Sequence, residues 1–473
     1  MTTPLHLNPD RLFPPSAGVR SIARRLYQHV HQLPIISPHG HTDPAWFASN
    51  APFADATQLL LQPDHYLLRM LYSQGIPLTA LGVTPRGGGR ASNSAELRAA
   101  WRLFAANYHL FRGTPSRLWL DYVFAEVFGL SVRLSVGTAD AYYDSINAQL
   151  ATAPFRPRAL FDRFRIEVLA TTESPTDPLH HHQVIRHSGW GGRVITTFRP
   201  DPVVDPEFEG FREQLATLGE LTGQDTLTYR GYLAALRNRR AYFASLGATA
   251  TDHGHPTAAT ADLGNVEAAA LFRRVTANAC TAQDAETFRA HMLTVMAGMS
   301  LEDGLVMQLH PGAFRNHNTA LFDRFSRDRG ADIPCATDYV RGLRPLLNRY
   351  GNDPRLTLIL FTLDESTYAR ELAPLAGHYP ALRLGPAWWF HDSPEGMRRY
   401  RAQVTETAGF YNTVGFNDDT RAFLSIPARH DVARRIDCGV LAQLVAEHQL
   451  EEGEAAELAV ELAHGLAKRA YKL

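Results

Sequence analysis

The 473-residue sequence has few cysteines, no long apolar run and almost no net charge. Cys280, Cys335 and Cys438 form no CxxC pair, which indicates reduced thiols rather than a disulfide framework. The opening residues contain no apolar signal segment, and no run approaches the roughly 20 residues of a membrane span. A formal net charge of -1 gives no basis for nucleic-acid or membrane binding. We therefore expect a cytoplasmic protein without a nucleic-acid or membrane partner.

The residues that are abundant indicate an ordinary globular chain. Apolar residues make up 45% and charged residues 20%, which is typical of a folded protein. Length alone does not distinguish one elaborated domain from two or three. The 21 histidines make any single histidine weak evidence for a metal site, so its position in the fold has to decide.

Short β-rich runs recur along the chain and are separated by helical segments. Alternating strands and helices imply parallel pairing, and eight runs predict an α/β fold, a closed (β/α)8 barrel of the TIM type. An open doubly wound sheet is the competing interpretation. The runs are 33–37, 166–172, 193–198, 242–250, 304–310, 355–363, 381–385 and 412–417.

The segment between the first two runs has helical rather than strand periodicity. Leu97, Trp101 and Phe104 follow at steps of four and three, which places them on one helix face. Thr114 is a candidate N-cap, with Pro115 at the first helical position. We therefore predict a barrel domain built from residues 1–45 and 159–473, with a helical insertion over 46–158 that contributes to the active site.

Two histidines follow the first strand in LPIISPHGHTDP, residues 33–44. On an extended segment, side chains two residues apart point to the same side, so His39 and His41 could face one ion. A polar loop whose histidines contact only water is the alternative interpretation.

Other polar residues follow the later strands, and the ends of barrel strands surround one shared mouth. Two histidines and a carboxylate that converge there suit a divalent metal such as zinc, with an open position for water or substrate. The residues after the strands are Arg199 and Asp201, Asp252 and His253, His310 and Arg315, Trp388 and Trp389, and Asp418, Asp419 and Arg421.

Two other features are interpreted as structural. His180, His181 and His182 are adjacent, and adjacent helical residues diverge by about 100°, so all three cannot face one ion. The C-terminal segment EEGEAAELAVELAHGLAKRAYKL is an amphipathic helix that we expect to pack against the barrel or a neighbouring subunit.

Several motifs together resemble the uronate isomerases, also called glucuronate isomerases, of the amidohydrolase superfamily. They are DRLFP, LPIISPHGHTDP, PDHYLLRMLYSQGI, TTFRPD, MQLHPGAFRN, WWF and DDTRAFLSIPARHD, and they occur in order from about residue 11 to about 435. The resemblance implies a distorted (β/α)8 barrel. It also implies interconversion of D-glucuronate with D-fructuronate and of D-galacturonate with D-tagaturonate. Such a proton transfer needs no organic cofactor, and we expect a homo-oligomer.

Carried over residue by residue, the resemblance implies His39, His41 and Asp419 as ligands of one divalent metal, with zinc as the expected ion. It places His65 and Tyr66, delivered by the insertion, among the catalytic residues together with Asp419 and His39. The residues that it assigns to the small-molecule uronate substrate are Arg199, Asp252, His310, Arg315, Trp388 and Arg421.

An aldose–ketose conversion of this kind moves a proton between C2 and C1 through a cis-enediol, after the sugar ring opens. We expect Asp419, with His39, to assist ring opening. Tyr66 is the candidate for proton transfer at C2, provided that a neighbouring cation lowers its pKa. Arg199, Arg315 and Arg421 are alternatives for the substrate carboxylate, because a guanidinium matches that group at two points.

The sequence departs from two-metal hydrolases of the superfamily. It has no lysine after the fourth run and no histidine after the sixth, where FTLDES offers Asp364 and Glu365 instead. This favours a single metal. The alternative functions are a mononuclear metal-dependent hydrolase of a lactone or amide, and a sugar-acid-binding protein without turnover.

Overall fold

The computed structural model describes residues 3–88, 90, 92–277 and 279–473. Seven strands form one parallel sheet in the order β1-β2-β3-β4-β5-β8-β9, and β6 and β7 form a separate antiparallel pair. The strands are β1 (Ile35–Ser37), β2 (Ile166–Glu173), β3 (Val194–Phe198), β4 (Ala250–His253), β5 (Val306–Leu309), β6 (Ala313–Phe314), β7 (Ile333–Pro334), β8 (Leu358–Leu360) and β9 (Leu382–Leu384).

The last predicted strand is reduced to a single parallel bridge between Leu384 and Thr413. The chain beyond it returns to the first strand, because the backbone N–H of His41 donates to the carbonyl of Thr420 at 3.0 Å. The predicted α/β fold, a distorted (β/α)8 barrel, is confirmed, with the distortion concentrated where the eighth strand should close the sheet.

Helices connect the strands and surround the sheet. Among the described residues, no helix is long and apolar enough to cross a bilayer, and the three cysteines are free, as predicted. The helices are α1 (Ala17–Val30), α2 (Pro44–Ser49), α3 (Ala56–Leu60), α4 (His65–Ser73), α5 (Ser94–Ala106), α6 (Pro115–Tyr122), α7 (Ala139–Leu150), α8 (Pro157–Arg163), α9 (His180–His187), α10 (Asp201–Val204), α11 (Phe211–Thr222), α12 (Tyr229–Ser245), α13 (Asn265–Thr276), α14 (Ala282–Asp303), α15 (Thr319–Phe325), α16 (Tyr339–Gly342), α17 (Arg344–Tyr350), α18 (Ala373–Ala376), α19 (Pro394–Ala408), α20 (Ile426–Ala446), α21 (Glu452–Val460) and α22 (Leu466–Ala470).

The bounds predicted for the fourth strand are wrong. Residues 242–245 belong to α12, and β4 begins only at Ala250. Aromatic residues favour strands, but Phe243 is fully buried in the helix and its ring packs edge-on against Phe198 of β3. Burial on a helix face thus outweighs local strand preference at this position.

Between β1 and β2, the regular elements in the described part of the chain are all helices, α2 to α8. Thr114 caps α6 as predicted, because its hydroxyl accepts from the backbone N–H of Arg117. The apolar core of this segment, with Trp101 and Phe104 fully buried, also includes Ile166 of β2. Because the two parts share a core, the boundary of a separate domain over 46–158 stays a prediction.

The C-terminal segment packs against the barrel, as expected. Tyr471 is fully buried against interior residues of the strands such as Val306, and Ala467 of α22 contacts Ile36 and its neighbours. Gly415 allows the close approach, because a Cβ there would lie 2.6 Å from the carbonyl oxygen of Leu462. Ala467 and Tyr471 therefore form part of the barrel interior.

Candidate active site

The polar residues predicted at the strand ends converge on one side of the barrel. Parallel strands place their carboxyl ends at the same edge, so residues distant in sequence meet there. His39 follows β1, Asp252 lies in β4, and His310 follows β5, whereas Asp419 comes from the loop after the eighth strand position. These side chains form the centre of the site.

His39, His41 and Asp419 form the first cluster. Nε2 of His41 lies 3.2 Å from Oδ1 of Asp419, and Nε2 of His39 lies 3.5 Å from the same oxygen. His39 is 1% exposed, and burial lowers the pKa of its imidazole to about 4, so it is neutral near pH 7. Neutral imidazole is the form that binds metals.

Asp419 has an unusual backbone conformation, and its two carboxylate oxygens have different surroundings. Its φ of 35° lies in the left-handed region, which non-glycine residues seldom occupy. Oδ2 accepts from Nε1 of Trp388 at 2.5 Å, while Oδ1 is buried without a hydrogen-bond partner. Burial acts to raise the pKa of this carboxyl, but His39 and His41 hold it below its ordinary value. Asp418 beside it instead pairs with His430 at 3.0 Å.

Asp252, His310 and Arg199 form a second cluster beside the first. Oδ1 of Asp252 accepts from Nδ1 of His310 at 2.6 Å, and Oδ2 lies 3.0 Å from Nη1 of Arg199. Burial acts to raise the pKa of Asp252, but Arg199 and His310 hold it well below its usual range. The ring of His310 stacks on His39 with centroids 4.9 Å apart, and its Nε2 is buried without a partner.

Two sets of donor atoms could hold a metal ion in the described part of the chain: His39, His41 and Asp419, and His39, Asp252 and His310. In the second set Asp252 is already paired with Arg199, whose positive charge opposes a cation. The unpartnered Oδ1 of Asp419, which faces both Nε2 atoms, fits a divalent ion better. The run His180–His182 supplies no such set.

Helix α4 brings His65 and Tyr66 to the site. It begins after Asp64, whose carboxylate accepts from the backbone N–H of Tyr66 and of Leu67. The His65 ring stacks on Trp389 at 5.4 Å, and the Tyr66 hydroxyl donates to the Trp389 carbonyl at 3.2 Å. Burial lowers the pKa of His65 to about 3. The helical segment therefore covers the barrel mouth through contacts with Trp389.

The Tyr66 hydroxyl is protonated near neutral pH in this environment. Burial raises the pKa of Tyr66 well above its ordinary value, and Arg429 is the main group that opposes this rise. Arg429 is buried in α20, pairs with Asp392, and lies 3.5 Å from the centroid of the Trp119 ring. It links the helical segment, the Trp389 loop and α20.

Two of the three candidate arginines lie close to Asp328. Nη2 of Arg421 is 3.1 Å from Oδ2 of Asp328, and Arg315 lies 5.0 Å from the centroid of the Trp389 ring. Burial acts to raise the pKa of Asp328, but Arg421 and Arg315 hold it below its ordinary value. Arg315 also contacts Asp332 at 3.0 Å through Nη1. Both guanidinium groups are about one-third exposed.

The structure thus brings together the residues that the resemblance assigns to the site, although their chemical roles stay predictions. Two other residues predicted after the strands have different partners: Asp418 pairs with His430, and His253 contacts the Thr251 hydroxyl. The sequence did not indicate Asp328 or Arg429, because their neighbours are distant in the chain. Gln308 was also missed, although it lies two residues before His310 and therefore on the same face of β5. Asp364 and Glu365 are occupied elsewhere, Asp364 in loop hydrogen bonds and Glu365 with Arg399.

Comparison with known proteins gives one consistent result. The sequence profile of glucuronate isomerase matches residues 18–470. A uronate isomerase of Sphingopyxis alaskensis is 71% identical, with 100% of each chain covered. The crystal structure of glucuronate isomerase from Caulobacter crescentus is 62% identical, with a TM-score of 0.97 over 99% of this chain and 97% of that chain.

A more distant relative shares the same fold. The crystal structure of uronate isomerase from Thermotoga maritima is 27% identical, with a TM-score of 0.91 over 98% of this chain and 99% of that chain. The matches extend over both the barrel and the helical segment that carries His65 and Tyr66. With the profile match across nearly the full length, they show that the chain belongs to the glucuronate isomerase family.

Proposed function

We propose that this protein interconverts D-glucuronate with D-fructuronate, and D-galacturonate with D-tagaturonate, by proton transfer between C2 and C1. The observation that carries the proposal is the arrangement of the mouth. A carboxylate flanked by two histidines lies at its centre, and Arg315 and Arg421 lie at its edge. The first group suits sugar oxygens, and the arginines suit a carboxylate.

The proposal includes one divalent metal ion, zinc, held by His39, His41 and Asp419. When bound, such an ion supplies electrostatic stabilisation for charge on a substrate oxygen. The donor set supports it, since two imidazole Nε2 atoms face one buried carboxylate oxygen that lacks another partner. No organic cofactor is needed for the proton transfer.

Ring opening requires a proton to move from the anomeric hydroxyl to the ring oxygen. We assign this step to Asp419 with His39, because the carboxylate is ionised near neutral pH and can accept a proton. The hydrogen bond from Trp388 to Oδ2 fixes the orientation of the carboxylate, with Oδ1 on the side of His39 and His41.

Transfer at C2 is assigned to Tyr66. Because its hydroxyl is protonated in this environment, it can deliver a proton to the enediol at C2 in the ketose-to-aldose direction. In the opposite direction the hydroxyl must first pass its proton to solvent water, and Arg429 then stabilises the tyrosinate, which accepts the proton from C2. His65 is assigned the task of holding the substrate against Trp389, on which it stacks.

The substrate carboxylate is assigned to Arg315 and Arg421. Arg199 is the third candidate, but its guanidinium is engaged by both Asp201 at 2.8 Å and Asp252 at 3.0 Å. Arg315 and Arg421 each contact carboxylates through a single nitrogen, so each retains free N–H groups. Arg199, Asp252, His310 and Trp388 then contact the substrate hydroxyls or hold the groups that do.

The test is to incubate the purified protein with D-glucuronate and follow the conversion of aldose to ketose by NMR. Appearance of fructuronate supports the proposal, and a protein that binds glucuronate without converting it contradicts it. The same sample with a uronate lactone distinguishes a hydrolase, which would consume the lactone and leave glucuronate unchanged. The proposal also includes a homo-oligomer in the cytoplasm, and sedimentation analysis of the protein tests the oligomeric state.

A further inference from the structure

The Tyr471 hydroxyl reaches the barrel interior from the side opposite the active-site mouth. Tyr471 follows α22 and is fully buried. Its hydroxyl donates to Oε1 of Gln308 at 2.8 Å and accepts from Nδ2 of Asn417 at 3.2 Å. A buried hydroxyl with both a donor and an acceptor partner has one fixed orientation.

Gln308 extends this chain of hydrogen bonds to the metal site. Because its amide oxygen is taken by Tyr471, its Nε2 is directed to Nδ1 of His39 at 3.4 Å and to the carbonyl of Thr251 at 3.4 Å. Gln308 is fully buried, so no solvent replaces these partners. The Tyr471 hydroxyl and the Thr251 carbonyl therefore decide together which end of the Gln308 amide faces His39.

The contact at Nδ1 has a consequence for the other nitrogen of the ring. Because the Gln308 amide nitrogen is a donor, Nδ1 accepts and the ring proton lies on Nε2, the atom directed to Asp419 at 3.5 Å and to Asp252 at 3.9 Å. The partner of one imidazole nitrogen sets the tautomer and the ring orientation at the other. Nothing else among the described residues makes a hydrogen bond to Nδ1 of His39.

We propose that Tyr471 is a positioning residue that sets, through Gln308, the tautomer and ring orientation of His39. The C-terminal segment is thereby coupled to the active site from beneath the barrel, without touching the substrate. The expected effect on metal binding rests on the proposed role of His39 as a metal ligand. The effect on the His39 ring itself does not depend on a metal.

The decisive variant is Tyr471→Phe, which removes the hydroxyl and keeps the ring that fills the barrel base. The ¹⁵N resonances of His39 are compared in metal-free wild type and variant, with His39→Asn used to assign them. We expect the Nδ1 and Nε2 signals to change as the two tautomers become mixed. Unchanged His39 signals in Tyr471→Phe would overturn the proposal. Tyr142→Phe is the matched control, since it also removes a buried hydroxyl, which donates to the Val132 carbonyl.

Metal binding gives the second measurement, by titration of each protein with Co²⁺ and reading of its visible absorption. An Nε2 that carries the ring proton must release it before it can bind a metal, so Tyr471→Phe, which frees the Gln308 amide to turn, should strengthen Co²⁺ binding about tenfold, the size of effect usual for the hydrogen-bond partner of a histidine ligand. In the Gln308→Met background the same change should have no further effect, whereas an equal effect in both backgrounds contradicts transmission through Gln308. If the wild type binds no Co²⁺, the metal proposal fails, and the His39 signals still decide the role of Tyr471.

Discussion

At the scale of single residues, the proposed metal site consists of few side chains, which lie at the barrel mouth and not in the apolar core. Removing both imidazoles in the double variant His39→Ala with His41→Ala should abolish metal binding while the protein stays folded. Elemental analysis by mass spectrometry is expected to give about one equivalent per chain for the wild type and none for the variant.

The matched control is His180→Ala with His181→Ala, which removes two exposed imidazoles that belong to no candidate metal set. It should retain the full metal content. Full retention in the variant at positions 39 and 41 as well would show that the ion is bound elsewhere.

Glu173 at the end of β2 should make stability depend on pH. Burial raises the pKa of its carboxyl to about 8, so between about pH 4.5 and 8 the native state holds a proton that the unfolded state releases. The free energy of unfolding therefore falls as pH rises across this range, by at most about 1.4 kcal/mol per pH unit. Glu173→Gln should remove this pH-dependent decrease in the free energy of unfolding.

The measurement is thermal unfolding of both proteins from pH 5 to pH 8. The melting temperature of Glu173→Gln should rise relative to that of the wild type as pH increases. Glu167→Gln on the same strand is the control, because Lys468 and His464 hold the pKa of Glu167 below its ordinary value against the effect of burial. It should show no such gain, and an equal pH trend in both variants would contradict the role of Glu173.

Recognition of the substrate carboxylate should depend on Arg315 and Arg421. When glucose replaces glucuronate, the N–H groups of Arg315 and Arg421 that Asp332 and Asp328 do not take lose their acceptor, so we expect a preference on the order of a thousandfold for glucuronate. Arg421→Met and Arg315→Met should each lower kcat/KM on glucuronate and narrow this preference. Lysine should rescue poorly, because it lacks the two-point contact.

Steady-state kinetics on both sugars check this prediction, with Arg341→Met as the control. Arg341 is 91% exposed and pairs at the surface with Asp338, so its removal should change neither sugar's kinetics. Equal activity of the wild type on glucose and glucuronate would assign the arginines another role.

At the scale of elements, α4 is the helix whose position matters most for chemistry. Tyr66→Phe should lower kcat about 100- to 10,000-fold with little change in KM, the pattern of a group that moves a proton. Tyr72→Phe in the same helix is the control, since its side chain is 38% exposed and forms no hydrogen bond through its hydroxyl among the described residues. A Tyr66→Phe protein with normal kcat would remove Tyr66 from the mechanism.

The elements also show how far the sequence predicts this fold. Seven of the eight predicted runs contain strands of the sheet or border one, because buried parallel strands are short apolar runs between helices. The run at 242–250 was misplaced because the preference of Tyr242 and Phe243 for strands yields to packing in α12. The run at 412–417 pairs at one position only, where Gly415 is pressed against the C-terminal helices.

For the site, the sequence predicts residues that follow strands, since parallel strands bring their ends together. It identifies His39, His41 and Asp419 in this way. It does not predict Asp328 or Arg429, whose roles depend on contacts with residues far away in the chain, such as Arg421 and Tyr66. The sequence interpretation required a cation that lowers the pKa of Tyr66, but burial under the helical segment raises that pKa in spite of Arg429.

At the scale of the whole molecule, the barrel is closed at both ends by parts of the chain other than its strands. The helical segment covers the mouth through His65 and Tyr66, and Ala467 and Tyr471 fill the base. The apolar cores are continuous with these additions, so the barrel should not be treated as a scaffold that is stable without them.

The filled base has a consequence for biosynthesis. All strands of the sheet leave the ribosome before residues 466–473 are made. Until then, the apolar interior of the newly made barrel is exposed to water. A chain released at residue 465 should keep most of its helical circular dichroism but bind a hydrophobic dye strongly, whereas the full chain should not. If the shortened chain excluded the dye and melted like the full chain, the barrel would mature before residues 466–473 are made. Otherwise the synthesis of residues 466–473 sets the moment at which the nascent enzyme is protected from aggregation.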